Sequence, residues 1–387
     1  MERHYGMDWL RIGAFALLIL YHVGMVFVPW GFHIKAPQTS EAVTIPMMGA
    51  NAWRLTLLFV VSGFASRAIL LRAPGLGGFV RSRSARLLVP LLFGVVVIVP
   101  PQSWVEFVTQ HGYTGGFLDF WLHDYFRFAA VGGVILPTYN HLWFVAYLWA
   151  YTLALALLLA VVPGRRWQAW FDRAFAGTRV LWLPVAYLVL SDVVIFGRVV
   201  DTHDIIHDMP AHFAYVPALL FGFGLAGSPS TMRALADRWH RAGVAALLSY
   251  AAIVALMLRY PALSFPSREV ATAFQLLREV QCWSVIAALI GAATRFLNRD
   301  HPWRATLAEA VFPFYIIHQT ALVLIAYWLR PLGLGNWALF ALLVAGTAAS
   351  CWAFYALGRE VGWLRPLIGL KARVASRAAS AREPATT

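Results

Sequence analysis

Charge is scarce in this sequence. Of its 387 residues only 13% are Asp, Glu, Lys or Arg, while 60% are hydrophobic. A soluble domain carries about 25% charged and about 45–50% apolar residues. This chain therefore has too little charge to coat a water-facing surface of its size. Cysteine is nearly absent: Cys282 and Cys351 stand alone, each inside an apolar run. That excludes a disulfide framework and the paired cysteines of a structural zinc site. Neither a GxSxG elbow nor a P-loop occurs, which removes two common routes to hydrolysis and nucleotide binding. Soluble domains, long linkers and clear internal repeats are also missing. No cleavable leader is expected, because the first apolar run is long and no small-residue cleavage site follows it.

Long apolar runs are what the chain does have. A membrane-spanning helix needs about 20 mostly apolar residues. Ten candidates stand out, at about 9–29, 50–71, 87–107, 140–162, 180–197, 212–227, 243–260, 270–294, 306–329 and 335–357. The fifth and sixth are short. The expectation is an all-α, polytopic membrane protein with one transmembrane domain over residues 1–365. Residues 366–387, rich in Ala, Ser and Arg, read as a disordered basic tail.

The net charge of +13 supports an orientation. With the N-terminus in the cytoplasm, 21 of the 31 Lys and Arg fall in inside segments and 6 in outside segments; Arg11, Arg54, Arg67 and Arg278 lie within spans. This is the positive-inside pattern, with both termini cytoplasmic and the bilayer, the plasma (inner) membrane, as the partner. The basic excess therefore requires no nucleic acid.

Ionisable groups inside spans are costly and tend to face a bundle interior or a cavity. The first span holds Asp8, Arg11 and His22. The 11-residue step from Arg11 to His22 turns about 1100°, or three turns plus about 20°, so the two share a face about 16 Å apart along the axis. Asp8 sits at i−3 from Arg11, within pairing reach. An arginine at the rim and a deeper imidazole suit a reaction in which one holds an anionic donor and the other moves a proton. A snorkelling arginine and a hydrogen-bonded histidine are the plainer alternative.

Arg83 and Arg86 are i, i+3 neighbours at the inner start of the third span. Paired guanidiniums suit phosphate, although topology alone also explains them. His141 opens the fourth span in Asn140-His-Leu-Trp-Phe144, where an aromatic belt is the simpler reading. His318 falls near the middle of the ninth span, where it can serve chemistry or a helix–helix hydrogen bond; Glu309, nine residues earlier, faces half a turn away. Ser62-Gly63 in the second span reads as close helix packing. In the outer loop, His203 and His207 could share a metal if the loop were helical. No closed ligand set is visible around Asp201, Asp204, Asp208 and His212, so no metal is expected, and a polar acceptor-binding surface fits better.

Taken in order, Arg11-x10-His22, Phe59-x-x-Ser62-Gly63-Phe64, Arg83-x-x-Arg86 followed by Pro90, His141-Leu-Trp143-Phe144 and Phe314-Tyr-x-x-His318 resemble the membrane acyltransferase-3 family, in the branch of glucan biosynthesis protein C. The motifs run from the first span to the ninth. The resemblance implies a membrane O-acyltransferase that moves an acyl group, succinyl or acetyl, from cytoplasmic acyl-CoA to a hydroxyl of an extracytoplasmic glycan such as a periplasmic glucan. It implies that His22 is catalytic, with Arg11 beside it. It further implies that Arg83, Arg86 and Arg11 handle the CoA donor, a substrate rather than a bound cofactor. His141 and His318 carry over as further catalytic positions. Two departures stand out: His-Leu-Trp-Phe replaces the Trp-Ser-Leu and downstream Glu of many members, and no hydrolase-like domain follows the tenth span. A succinyl donor would want another cation, for which Arg54, Arg67 and Arg278 are candidates.

Two other classes fit the same residues. A transporter of a polar or anionic metabolite also carries ionisable groups in spans, although the inverted repeats common in transporters are not evident. A haem or metal protein could use His22, His141 or His318 as ligands. Net uptake into liposomes without acyl-CoA turnover would favour transport. A purified protein with no Soret band and no bound metal would remove the third reading.

Overall fold

The structure, a computed structural model, describes residues 4–196 and 202–372. Arg3, Arg198, Asp201, Arg373, Arg377 and Arg382, used above for topology and the outer loop, lie outside the described residues. The chain is an all-α polytopic membrane protein. In order its helices are α1 (Tyr5–Met25), α2 (Glu41–Asn51), α3 (Arg54–Arg72), α4 (Gly75–Phe93), α5 (Pro100–Gln110), α6 (Trp143–Val161), α7 (Gly164–Ala174), α8 (Arg179–Leu188), α9 (Met209–Leu225), α10 (Pro229–Arg259), α11 (Arg268–Phe296), α12 (Pro302–Leu329), α13 (Asn336–Glu360) and the short α14 (Leu364–Leu367). The only sheet among the described residues is a hairpin that pairs Ala129–Val131 with Val134–Leu136.

Among the described residues, nine helical segments are long and apolar enough to cross a membrane. α9, with 17 residues, is a shorter apolar helix at the sixth expected span. Two spans are continuous through π-helical turns. α4 runs on through Gly94–Ile98 into α5, and α8 runs on through Val189–Phe196. Pro90, four residues before Gly94, lacks the N–H that a regular helix would use, and the wider turn follows it.

α1 begins and ends four residues earlier than the sequence suggests. The chain leaves the helix after Met25, and the Lys35 ammonium caps it by donating to the carbonyls of Met25 (2.7 Å) and Val28 (2.8 Å). His22 therefore lies in the last turn of α1, toward the end of the bundle away from the N-terminus. The described chain stays packed beyond Pro366. Ile368 and Leu370 are buried with Ala310 and Tyr355, so packing continues past residue 366.

Glycine sets how closely the helices approach. A Cβ on Gly63 would sit 1.9 Å from the Leu219 carbonyl oxygen, and one on Gly222 would sit 1.8 Å from that of Val60. α3 and α9 thus meet backbone to backbone, as small residues allow in membranes. Gly6 of α1 stands in the same relation to the Ala293 carbonyl of α11 (2.4 Å), and Gly291 of α11 to that of Leu235 in α10 (2.4 Å). Carbonyls cannot swing aside as a flexible side chain can. Gly63→Ala or Gly222→Ala should therefore destabilise by about 1–3 kcal/mol, the range for overpacking. Gly31→Ala, which meets nothing within 4 Å, should leave the thermal midpoint in detergent unchanged. Equal midpoints for all three variants would refute the close-approach account.

Candidate active site

Three histidines from three helices meet in the half of the bundle away from the N-terminus. His22 comes from the last turn of α1, His318 from the body of α12, and His141 from the turn that leads into α6. The His318 ring centroid lies 5.0 Å from that of His22 and 5.0 Å from that of His141. His318 is 0% and His141 6% exposed, whereas His22 is half-buried.

Their hydrogen bonds fix the tautomers. The Nδ1 of His318 lies 2.7 Å from the Tyr315 carbonyl oxygen. A carbonyl only accepts, so Nδ1 carries the hydrogen and Nε2 of the neutral ring is an acceptor. That Nε2 lies 2.9 Å from His22 Nδ1, so His22 must donate through Nδ1. As a neutral imidazole, His22 then keeps its lone pair on Nε2, the nitrogen turned away from His318. His141 has the opposite tautomer: its Nε2 donates to the Ile316 carbonyl (3.0 Å), and its Nδ1 faces the Gln102 amide nitrogen (3.4 Å). The His141 carbonyl accepts the Tyr315 hydroxyl.

A polar network supports the trio from the side. The Gln102 amide nitrogen donates to Thr320 Oγ1 (2.6 Å), and Gln102 Oε1 accepts from Gln319 (3.1 Å) and Asn140 (3.2 Å). Gln319 also donates to His33 Nε2 (2.9 Å), and His33 Nδ1 meets Glu106 Oε2 at 2.5 Å. The network draws on α5, α12, the turn before α6 and the loop after α1, so it fixes four segments around one point. Lys35 lies in that same loop, where burial brings its ammonium down to about 8. The side chain of Phe32 stacks beside His22 at 6.3 Å between centroids. His33, Gln102, Glu106, Gln319 and Thr320 were not singled out in the sequence. Gln102-Ser103 after two prolines and Gln319-Thr320 after His318 are polar pairs inside apolar runs, and that was the available signal.

The arginines lie elsewhere. Arg11 donates to the Ala308 carbonyl of α12 at 3.0 Å, about 16 Å along α1 from His22. Asp8, expected to pair along α1, also bonds across to Arg304 at 2.9 Å. Arg83 is 7% exposed, and its Nε and Nη2 are buried with no hydrogen-bond partner. Arg86, one turn on, is exposed. Glu309 stands 3.9 Å from Arg365.

Arg54 and Arg278 converge on Asn51: Arg278 donates to its side-chain oxygen (2.8 Å) and Arg54 to its carbonyl (2.8 Å), with the Arg54 guanidinium 3.6 Å above the Tyr21 ring. Arg67 is far from this group, bound to Gln168 at 2.8 Å. Asp192 and Glu279, which share a hydrogen bond near Arg278, are further ionisable residues in spans that the sequence reading passed over. In the loop before α9, residues 202–208 form turns and not a helix, so the i, i+4 geometry for a metal is not formed. His203 stacks on Trp143 at 4.2 Å, and His207 pairs with Asp204 at 2.7 Å.

Residues 4–356 match the family model described as acyltransferase domain. The chain belongs to this acyltransferase family. It is similar to glucans biosynthesis protein C of Escherichia coli strain K12, with 25% identity over 146 residues, which is 37% of this chain and 36% of that protein. The protein of the same name from Shigella dysenteriae serotype 1 is 24% identical over 144 residues, again 37% and 36% of the two chains. The match thus covers about a third of the length of these relatives. No solved structure matches the chain. Arg11 lies toward the N-terminal end of the bundle, and His22, His141 and His318 cluster toward the other.

Nitrogen NMR on histidine-labelled acyltransferase tests the tautomers. His22, His318 and His33 should report Nδ1–H and His141 Nε2–H; a His22 signal of the Nε2–H form would refute the assignment. Gln102→Leu should lower the thermal midpoint, because it leaves several buried partners unsatisfied at about 1–3 kcal/mol each.

Proposed function

We propose that this acyltransferase moves an acyl group from cytoplasmic acyl-CoA to a hydroxyl of an extracytoplasmic glycan, with His22 as the reacting imidazole. The observation that carries this reading is the state of His22: Nδ1 is committed to His318 and Nε2 is left with a lone pair on a half-buried ring. A general base needs this arrangement, with one nitrogen held by a partner and the other available.

In the proposed reaction, His22 Nε2 removes the proton from the acceptor hydroxyl as its oxygen attacks the thioester carbonyl. The new C–O bond forms and the C–S bond breaks, and the departing thiolate takes the proton back from His22. Net, the acyl group and one hydrogen exchange places between CoA and the glycan. His318 is the positioning residue: it orients the His22 ring and accepts its Nδ1–H throughout. His141 is placed one step further out, since both of its nitrogens already face protein groups. A transient acyl-histidine at the same Nε2 would use the same geometry.

The donor end is supported by Arg83. A buried guanidinium with two unsatisfied nitrogens is costly without an anion, and a phosphate of CoA supplies one. Arg86 on the surface beside it and Arg11 on the way toward His22 extend the same positive path. The 21-to-6 distribution of basic residues supports an orientation with this end in the cytoplasm and the histidines toward the outside, in an inner membrane. Glucans biosynthesis protein C, the name of the relatives, is the reason to choose a glucan as acceptor.

His22→Ala should abolish acyl transfer to glycan by purified protein that still elutes as a folded species. His318→Asn should lower kcat by about 10²–10⁴ with little change in KM for acyl-CoA. Arg83→Ala combined with Arg86→Ala should weaken acyl-CoA binding and leave the histidine NMR signals in place. Full activity of His22→Ala would overturn the proposal.

A further inference from the structure

A cavity of about 330 Å³ lies between α7, α8, α9 and α11, away from the histidines, with Trp167, Phe171, Tyr187, Pro217, Phe221 and Trp283 on its wall. Its wall is almost wholly apolar. The polar groups there are mostly engaged: Tyr187 donates to the Phe213 carbonyl (2.7 Å), and the buried Trp283 donates to the Val180 carbonyl (2.8 Å). One is not. The indole N–H of Trp167 is buried and has no acceptor. A purely hydrocarbon occupant would leave it unsatisfied; an occupant with a carbonyl at that height would not.

α7 explains what that occupant is. It is a short helix that follows α6 and lies at the N-terminal end of the bundle, the end where the basic loops gather. Its first turn presents Arg165 and Arg166, both exposed, next to Trp167. Trp170 (55% exposed) on α7 lines the cavity, and Trp182 (53%) on α8 precedes its wall residues Leu183 and Pro184. The helix is tied down by Gln168, which accepts from Arg67 of α3 (2.8 Å) and donates to the Gly224 carbonyl of α9 (3.2 Å). The order along α7 is therefore two cations, an unpaired N–H donor, then an apolar chamber. Arginines beside an anionic leaflet attract its head groups, and tryptophan sits at the level of the polar–apolar boundary.

We infer that this cavity holds one acyl chain of an anionic glycerophospholipid, with the phosphate at Arg165 and Arg166 and an ester carbonyl accepting from Trp167.

The full chain is reconstituted in nanodiscs of phosphatidylcholine containing a minor fraction of phosphatidylglycerol, released, and weighed by native mass spectrometry. Retained phosphatidylglycerol in preference to phosphatidylcholine is expected. Arg165→Gln with Arg166→Gln should weaken that preference about thirtyfold, from the attraction of two basic residues to an anionic surface. Trp167→Phe keeps the ring, loses the donor and should weaken retention about fivefold. Ala214→Trp, on the cavity wall, should abolish it. Should Ala214→Trp fail to elute as a folded species, Trp167→Phe and the arginine pair decide the question. No retained phospholipid in the unaltered chain would overturn the inference, as would retention unaffected by these changes. Displacement of the phospholipid by long-chain acyl-CoA would also overturn it, by making the chamber an acyl-donor site.

Discussion

The hydrogen bond from His318 Nδ1 to the Tyr315 carbonyl decides the chemistry of the cluster. A helix carbonyl cannot change roles, so it dictates which nitrogen of His318 accepts. That in turn dictates which nitrogen of His22 donates and which keeps its lone pair. The same logic runs through His141 and the Ile316 carbonyl. Two backbone carbonyls of α12, one residue apart, thus set three imidazoles. Such an arrangement needs no buried carboxylate next to His22, and in a low-dielectric interior that avoids the cost of an extra buried charge.

A backbone-set tautomer is only as rigid as the helices that carry it. α1 and α11 touch through Gly6 and the Ala293 carbonyl, and α10 and α11 through Gly291 and the Leu235 carbonyl. In lipid there is little hydrophobic force between helices, so close van der Waals contact has to hold them. At the other end of α1, the Lys35 cap and the His33–Glu106 pair anchor the loop beyond His22. Glycine contacts near the N-terminal end and a polar network near the histidines therefore hold α1 at both ends, with His22 in its last turn.

The helices were legible because most apolar runs are long, and helix length is dictated by bilayer thickness. The helical phase of Arg11 and His22 was legible too. Partners across helices were not. His22 and His318 are 296 residues apart, and spacing carries no information about which faces of two helices meet. Gln102 and Gln319 went unnoticed for a related reason: a neutral amide in a span looks tolerable in isolation, and only its position opposite other amides and histidines makes it structural. Asp8 shows the same limit: local spacing offers Arg11, but Arg304, distant in sequence, also lies within 2.9 Å of it.

The separation of arginines from histidines is the remaining step. Arg11 and His22 share a face of α1, but 11 residues of helix keep them about 16 Å apart. A single compact substrate cannot bridge both. A long donor can, with its phosphates at one end and its reactive carbon at the other. Arg83 sharpens the point, because its unsatisfied guanidinium is buried at the arginine end and not at the histidine end. In the proposed reaction an acceptor that reaches Nε2 of His22 from the opposite side never has to pass the phosphates, so donor and acceptor approach from opposite ends of the bundle and meet at one nitrogen.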